Sequence, residues 1–196
     1  MNKLILASNS LRRKELMNLL NLEYDIIVSQ VDEIINKDLS KSDLVMDLAF
    51  QKALDVFKTH KDDLVLGFDT LVYLDDEILG KPKSKEEAKN MLQMLSNQTN
   101  EVITGCALIC KSFSKSFFEK TRVTFYPLTE SEIDDYIASN EPFDKAGAYG
   151  IQGLGGKFIK GIYGDYYTVM GLPLSRVYHE LTENEALKQF QNNRTI

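Results

Sequence analysis

Four cations, Arg12, Arg13, Lys52 and Lys81, two carboxylates, Glu33 and Asp69, and three hydroxyl or amide side chains, Ser8, Thr70 and Gln152, could act together on phosphate. Cations clamp phosphate oxygens, while carboxylates hold Mg²⁺ or take a proton from water. Taken singly they say little: a lysine on a helix usually faces solvent, and an aspartate after an apolar strand is usually a turn or cap residue. Only the combination points to chemistry. No Ser/His/Asp signature, Walker glycine loop or dinucleotide fingerprint competes with it, and GIQGLGG at 150–156 does not sit in a strand-turn-helix of the right kind.

The elements that must position these groups follow from the apolar pattern. Residues 2–7 read as a buried strand, Ser8-Asn9-Ser10 as a break that caps a helix, and 11–20 as that helix with Leu16, Leu19 and Leu20 inward. Strand, serine-rich turn and helix N-terminus suit an anion, because unpaired N–H groups and the helix dipole face the turn. Arg12 and Arg13 oppose that dipole unless an anion is bound. Residues 24–29 read as a strand and 31–43 as a loop. Ser42 or Asp43 is expected to cap a helix over 44–59 with a stripe of Leu44, Leu48 and Val56.

A strand over 63–68 should deliver Asp69 and Thr70 to an exposed edge of the sheet, and Asp75-Asp76 reads as a hairpin turn. Ser84 caps a helix with Glu86 and Glu87 in its first turn, strands follow at 101–111 and 116–126, and Thr129 with Glu132 makes a capping box. Glycines crowd residues 144–164, DKAGAYGIQGLGGKFIKGIYG, yet Tyr149, Ile151, Leu154 and Phe158 interleave them, which fits a packed loop lining a site rather than a solvated linker. A strand and a last helix follow, and 183–196 reads as a polar tail. Alternating strands and helices without a repeat predict an α/β fold with a mixed sheet.

At 196 residues, with 43% hydrophobic and 27% charged residues, the chain is long enough for one generous domain or two small lobes sharing a core, in an ordinary soluble protein. No apolar run approaches a membrane span and the start lacks a signal-peptide core, so no membrane association and a cytoplasmic location are expected. A net charge of -6 argues against nucleic acid as a partner. The first fourteen residues nevertheless carry Lys3, Arg12, Arg13 and Lys14 without an acid, a local field for a small anion. Cys106 and Cys110 lie four apart on one strand face and His60 and His179 are the only histidines, so a zinc site or disulfide framework is not expected.

LASNSLRRKELM, VDE at 31–33, LAFQKA at 48–53, GFDTLV at 67–72, LGKP at 79–82, TG at 104–105, DKAGAYGIQG at 144–153 and GLPL at 171–174 together resemble the Maf family of nucleoside triphosphate pyrophosphatases, in order across residues 4–174. The resemblance implies a single Maf-like domain over 1–196. Its fold would be α/β, a mixed twisted sheet with flanking helices and two lobes around a central nucleotide-binding cleft, similar to inosine triphosphatase. It implies a house-cleaning hydrolase that splits a nucleoside triphosphate into monophosphate and pyrophosphate with a divalent metal cation, Mg, Mn or Co. Homodimerisation is left open.

By the same resemblance Asp69 matches the proton acceptor, and Arg12, Thr70 and Gln152 match positions tied to substrate choice. Ser8, Arg13, Lys52 and Lys81 match positions around the triphosphate, and Glu33, with Asp69, an acidic position where metal would bind. Arg12, Asp69-Thr70 and Gly-Ile-Gln-Gly are similar to the branch acting on dTTP and UTP, with modified pyrimidine triphosphates as further candidates, rather than the branch acting on 7-methyl-GTP. A glutamine amide can pair with N3–H and O4 of uracil or thymine together. The rival class is a nucleotide-binding regulator of septum formation without significant turnover. Two positions depart from the family: Leu11, where proline is common, and Phe68, where a small residue is usual, which could narrow the cleft or merely repack the sheet.

Overall fold

A computed structural model describes residues 2–184 and residue 187. The described residues form a mixed sheet of seven strands with flanking helices. The strands are β1 (Leu4–Leu6), β2 (Asp25–Ile26), β3 (Leu64–Leu74), β4 (Glu77–Leu79), β5 (Thr99–Cys110), β6 (Phe113–Phe125) and β7 (Ile159–Tyr163). In the sheet they run in the order β2-β1-β3-β5-β6-β7, with β4 pairing to β3. The helices are α1 (Leu11–Leu19), α2 (Lys41–Phe57), α3 (Lys85–Leu95), α4 (Glu130–Ala138), α5 (Tyr166–Met170) and α6 (Leu174–Glu183). The predicted tail falls largely outside the described residues, and of its start Glu183 still belongs to α6. Among the described residues no helix is long and apolar enough to cross a membrane.

The described residues divide into two compact units, and the division falls between Asp69 and Thr70 inside β3. The first unit holds the chain up to Asp69, Thr104–Glu119, and the chain from Gly171. Here β1 pairs in parallel with β2 and with β3, Leu4 to Leu6 facing Leu64 to Leu66. Its core sets Ala49, Ala53 and Val56 of α2 against Ile5, Val65, Ala107 and Ile109. Helix and sheet touch at two glycines: a Cβ on Gly67 would lie 2.3 Å from the Ala49 carbonyl oxygen, and one on Gly105 2.2 Å from that of Val45. No side chain fits there, so glycine is what lets the α2 backbone rest on the strands.

The second unit, Thr70–Ile103 and Lys120–Met170, has its own core, in which Leu92 and Leu95 of α3, Ile133 and Tyr136 of α4, and Val123, Phe125, Tyr149 and Phe158 are all buried. The hairpin at Asp75-Asp76 forms as expected, with Val72 to Leu74 antiparallel to Leu79 to Glu77 and Asp75 at φ 50°. Ser84 accepts from the Glu87 amide, and Thr129 and Glu132 make both bonds of the capping box.

Several local expectations are corrected. The strand predicted over 24–29 shrinks to Asp25–Ile26. Ser10 stands at the N-cap of α1 without a side-chain cap bond, and on that helix Leu16, Met17 and Leu20 are buried while Leu19 is 62% exposed. The cap of α2 is Ser40, which accepts from the Asp43 amide, so Ser42 and Asp43 already lie inside the helix. Asp69 does not follow the strand to an exposed edge. It lies in the middle of the eleven-residue β3, between β1 and β5 in strand order, with 9% of its surface exposed.

Candidate active site

An isolated carboxylate inside a sheet would be costly to desolvate, by several kcal/mol. What offsets that cost is Lys52. Because Gly67 lets α2 sit against β3, the Lys52 ammonium reaches inward, donates to Asp69 Oδ1, and lies 3.1 Å from Glu33 Oε1. Its side chain is 18% exposed, so the expectation of a solvent-facing lysine does not hold. Among the described residues no donor reaches the second oxygen of Asp69, which leaves Oδ2 for water. One oxygen held by an ammonium and the other open is a suitable arrangement for a general base.

Glu33 reaches Lys52 from a loop that α2 itself fastens. Asp55 accepts from Ser29 Oγ and from the Gln30 amide, each at 2.9 Å, and Gln51 clamps Ile34 by receiving its amide proton and donating to its carbonyl, again at 2.9 Å. These bonds, above all the Gln30 amide, hold the Asp55 carboxyl below its ordinary value. Gln51 also donates to Asp47, 2.7 Å away. Sequence reasoning missed this clamp. The available signal was the recurrence of polar residues at 47, 51 and 55, one helical stripe, on a helix otherwise read for its apolar face.

Arg13 is held on three sides. Its Nε donates to the Gly171 carbonyl at 2.8 Å, its Nη1 to Ser8 Oγ at 3.2 Å, and its guanidinium stands 5.9 Å from the centre of the Phe68 ring. Burial pulls its pKa below the ordinary arginine value, opposed by the charge of Asp69. Ser8 also accepts from the Ser10 amide at 3.3 Å, so it serves the turn and Arg13. Phe68, the departure noted above, is fully buried and supports Arg13. The first unit thus brings Ser8, Arg13, Glu33, Lys52 and Asp69 together. Arg12 is half-buried on the first turn of α1.

The other residues singled out from the sequence belong to the second unit. Thr70 is half-buried in β3, Lys81 is exposed on the turn after β4, and Gln152 is exposed in the glycine-rich segment. The Gly147 amide donates to the Gly80 carbonyl at 3.0 Å, which ties the turn before Lys81 to that segment. Among the described residues the side chains of Lys81 and Gln152 have no hydrogen bond or ion pair. Cys106 and Cys110 are both buried and free. Among the described residues no group of three or more His, Cys, Asp or Glu could cage a metal. The carboxylates that could hold an ion are Glu33 and Asp69, which both meet the Lys52 ammonium; one or two carboxylates can share an ion with waters and substrate phosphates.

The sequence matches the family model described as Maf-like protein over residues 3–184. It is 54% identical over 183 residues to a protein of Bacillus cereus named dTTP/UTP pyrophosphatase, covering 93% of this chain and 96% of that one. Proteins of the same name from Bacillus cytotoxicus and Bacillus anthracis are each 55% identical, with the same coverage. A solved structure of the Staphylococcus aureus Ham1 protein is 17% identical, covers 62% of this chain and 71% of that one, and superposes with a TM-score of 0.45, a likeness that carries no argument about function. A match along nearly the whole chain, with relatives more than half identical, means that this chain belongs to the Maf family.

Proposed function

We propose that this chain hydrolyses dTTP and UTP at the bond between the α- and β-phosphates, releasing the nucleoside monophosphate and pyrophosphate. The observation that carries the reading is the buried Asp69, with one oxygen held by Lys52 and the other open, in a chain more than half identical to proteins named for that activity. Asp69 Oδ2 accepts a proton from water as the water oxygen bonds to phosphorus, and the bridging oxygen departs with the pyrophosphate. Proton acceptance of this kind is worth typically ~10²–10⁴-fold in rate. Lys52 keeps Asp69 oriented, and Glu33 keeps Lys52 from swinging away.

Arg13, with Ser8 behind it, and Lys81 bind the triphosphate; Arg12, Thr70 and Gln152 choose the base. A divalent cation held by Glu33 and Asp69 would neutralise charge on the leaving pyrophosphate. Gln152 offers one acceptor and one donor, the complement of N3–H and O4 on thymine and uracil, whereas the adjacent donors of guanine would suit a carboxylate. With a nucleotide substrate and no nucleic acid or membrane to engage, the enzyme belongs in the cytoplasm. A panel of nucleoside triphosphates, modified pyrimidines included, assayed for pyrophosphate release with Mg²⁺, Mn²⁺ and Co²⁺ tests the reading. Catalytic turnover with dTTP and UTP ahead of 7-methyl-GTP is expected. Stoichiometric binding without turnover would make the chain a nucleotide-binding regulator instead.

A further inference from the structure

The segment that carries Gln152 folds around one carboxylate. Glu141 lies in a short 3-10 turn, Glu141–Asp144, after α4. Its Oε1 accepts from the Tyr136 hydroxyl at 2.9 Å and from the Gly155 amide at 3.2 Å, and its Oε2 from the Leu154 amide at 2.8 Å. The Tyr136 oxygen in turn accepts from the Gly150 amide at 3.1 Å. Both ends of the 150–155 stretch are therefore tied to one phenol and carboxylate pair.

The same frame explains the glycines. A Cβ on Gly153 would stand 2.5 Å from both Glu141 oxygens, one on Gly155 2.7 Å from the Tyr136 hydroxyl, and one on Gly150 2.6 Å from Cε of Lys145, whose ammonium donates to the Glu141 carbonyl at 2.8 Å. Tyr136 is 2% exposed and packs edge-on against Phe158, with ring centres 5.2 Å apart, so the phenol end of the frame is anchored in the core. The loop itself is not. Gln152 and Gly153 are exposed, and Leu154, one of the apolar anchors expected from the sequence, is 57% exposed. Apolar burial cannot dictate the path of such a stretch, so its polar ties do.

We propose that Glu141, acting with Tyr136, is a positioning residue that sets pyrimidine selectivity by fixing the loop on which Gln152 is mounted. This rests on the reading of Gln152 as the group that recognises the base. A glutamine at 141 would offer one acceptor oxygen to three donors, so at least one loop amide loses its partner, and Gln152 is no longer held ready.

The test compares kcat and KM for dTTP and dCTP in the full chain, its E141Q and Y136F variants, Q152A, and the E141Q/Q152A double variant. E141Q and Y136F are expected to raise KM for dTTP more than they lower kcat. Both should cut the preference for dTTP over dCTP by about 10-fold, the worth of one misplaced hydrogen bond. E141D, which restores a carboxylate, should recover part of it. In the Q152A background E141Q should change the preference no further. A variant that merely lowered the folded fraction would reduce both substrates alike and leave the preference unchanged, which would overturn the proposal. If Q152A removes the preference while E141Q and Y136F keep it, positioning by Glu141 is wrong and base recognition by Gln152 stands. If Q152A itself keeps the preference, both fall.

Discussion

Lys52 donates to Asp69 across a helix-to-strand contact that exists because residue 67, two positions before Asp69 on the same strand, has no side chain. The pair is thus a product of backbone packing as much as of charge. A buried carboxylate in the middle of a sheet needs a partner from the layer above, and α2 lies close enough to supply one only where Gly67 and Gly105 let it.

Gly67→Ala should therefore act on stability and chemistry together. Its Cβ would meet the Ala49 carbonyl at 2.3 Å, so α2 must lift from β3. Overpacking of this kind costs about 1–3 kcal/mol, a fall of roughly 2–12 °C in Tm for a chain of this size. Turnover at a temperature where the variant is still folded should drop as well, since Lys52 moves with the helix. Gly161→Ala on β7, where a Cβ would meet nothing within 4 Å, is the control and should change neither. Equal Tm values for the two variants would contradict the packing argument.

Replacing Arg13 with lysine keeps a charge and removes the planar fork that now bonds Gly171 and Ser8. KM for dTTP and UTP should rise by roughly 10-fold or more, in line with the loss of a charge-assisted hydrogen bond, and Lys81→Ala should behave alike. Preference among bases should not move, because in the proposed site these groups bind the triphosphate and not the base, and nucleoside monophosphates should inhibit poorly. A changed base preference at unchanged KM would remove Arg13 from the triphosphate.

The Glu141 tie also predicts a pH dependence. Burial pushes its carboxyl up, but the amides of Leu154 and Gly155, the Tyr136 hydroxyl and Lys145 outweigh burial, and the net effect is a pKa below the ordinary 4.5. Folding thus favours the ionised form. That contribution is fully present above 4.5 and is lost as pH falls through the lowered folded value. The difference in Tm between the wild-type chain and E141Q should be largest near neutrality and close on acidification below pH 4.5. A gap that stays constant through that window would mean the carboxylate charge contributes nothing to the loop.

What was legible in the sequence were features decided within a few residues. Ser84 with Glu87, Thr129 with Glu132 and the turn at Asp75-Asp76 carry their partners three or four positions away, so pattern alone finds them. The same logic misplaces the cap of α2, since Ser40, Ser42 and Asp43 all suit a cap and local preference does not choose among them. Asp69 reads as the end of a strand because a charge inside an apolar run signals a break. The compensating ammonium arrives from α2, seventeen residues earlier. The glycine-rich segment was recognisable as ordered, and Tyr149 and Phe158 are indeed buried. That its glycines make room for Glu141, Tyr136 and Lys145 is a long-range fact that no spacing in the sequence encodes.

The central claim is that Asp69 takes the proton from the attacking water, and Asp69→Asn addresses it most directly because the amide keeps the shape while the base is gone. Pyrophosphate release from dTTP should be measured under single-turnover conditions with Mg²⁺, beside nucleotide affinity from equilibrium binding. We predict a loss of at least ~10² in the chemical step with affinity largely kept. A variant that releases pyrophosphate at close to the wild-type rate would contradict the account.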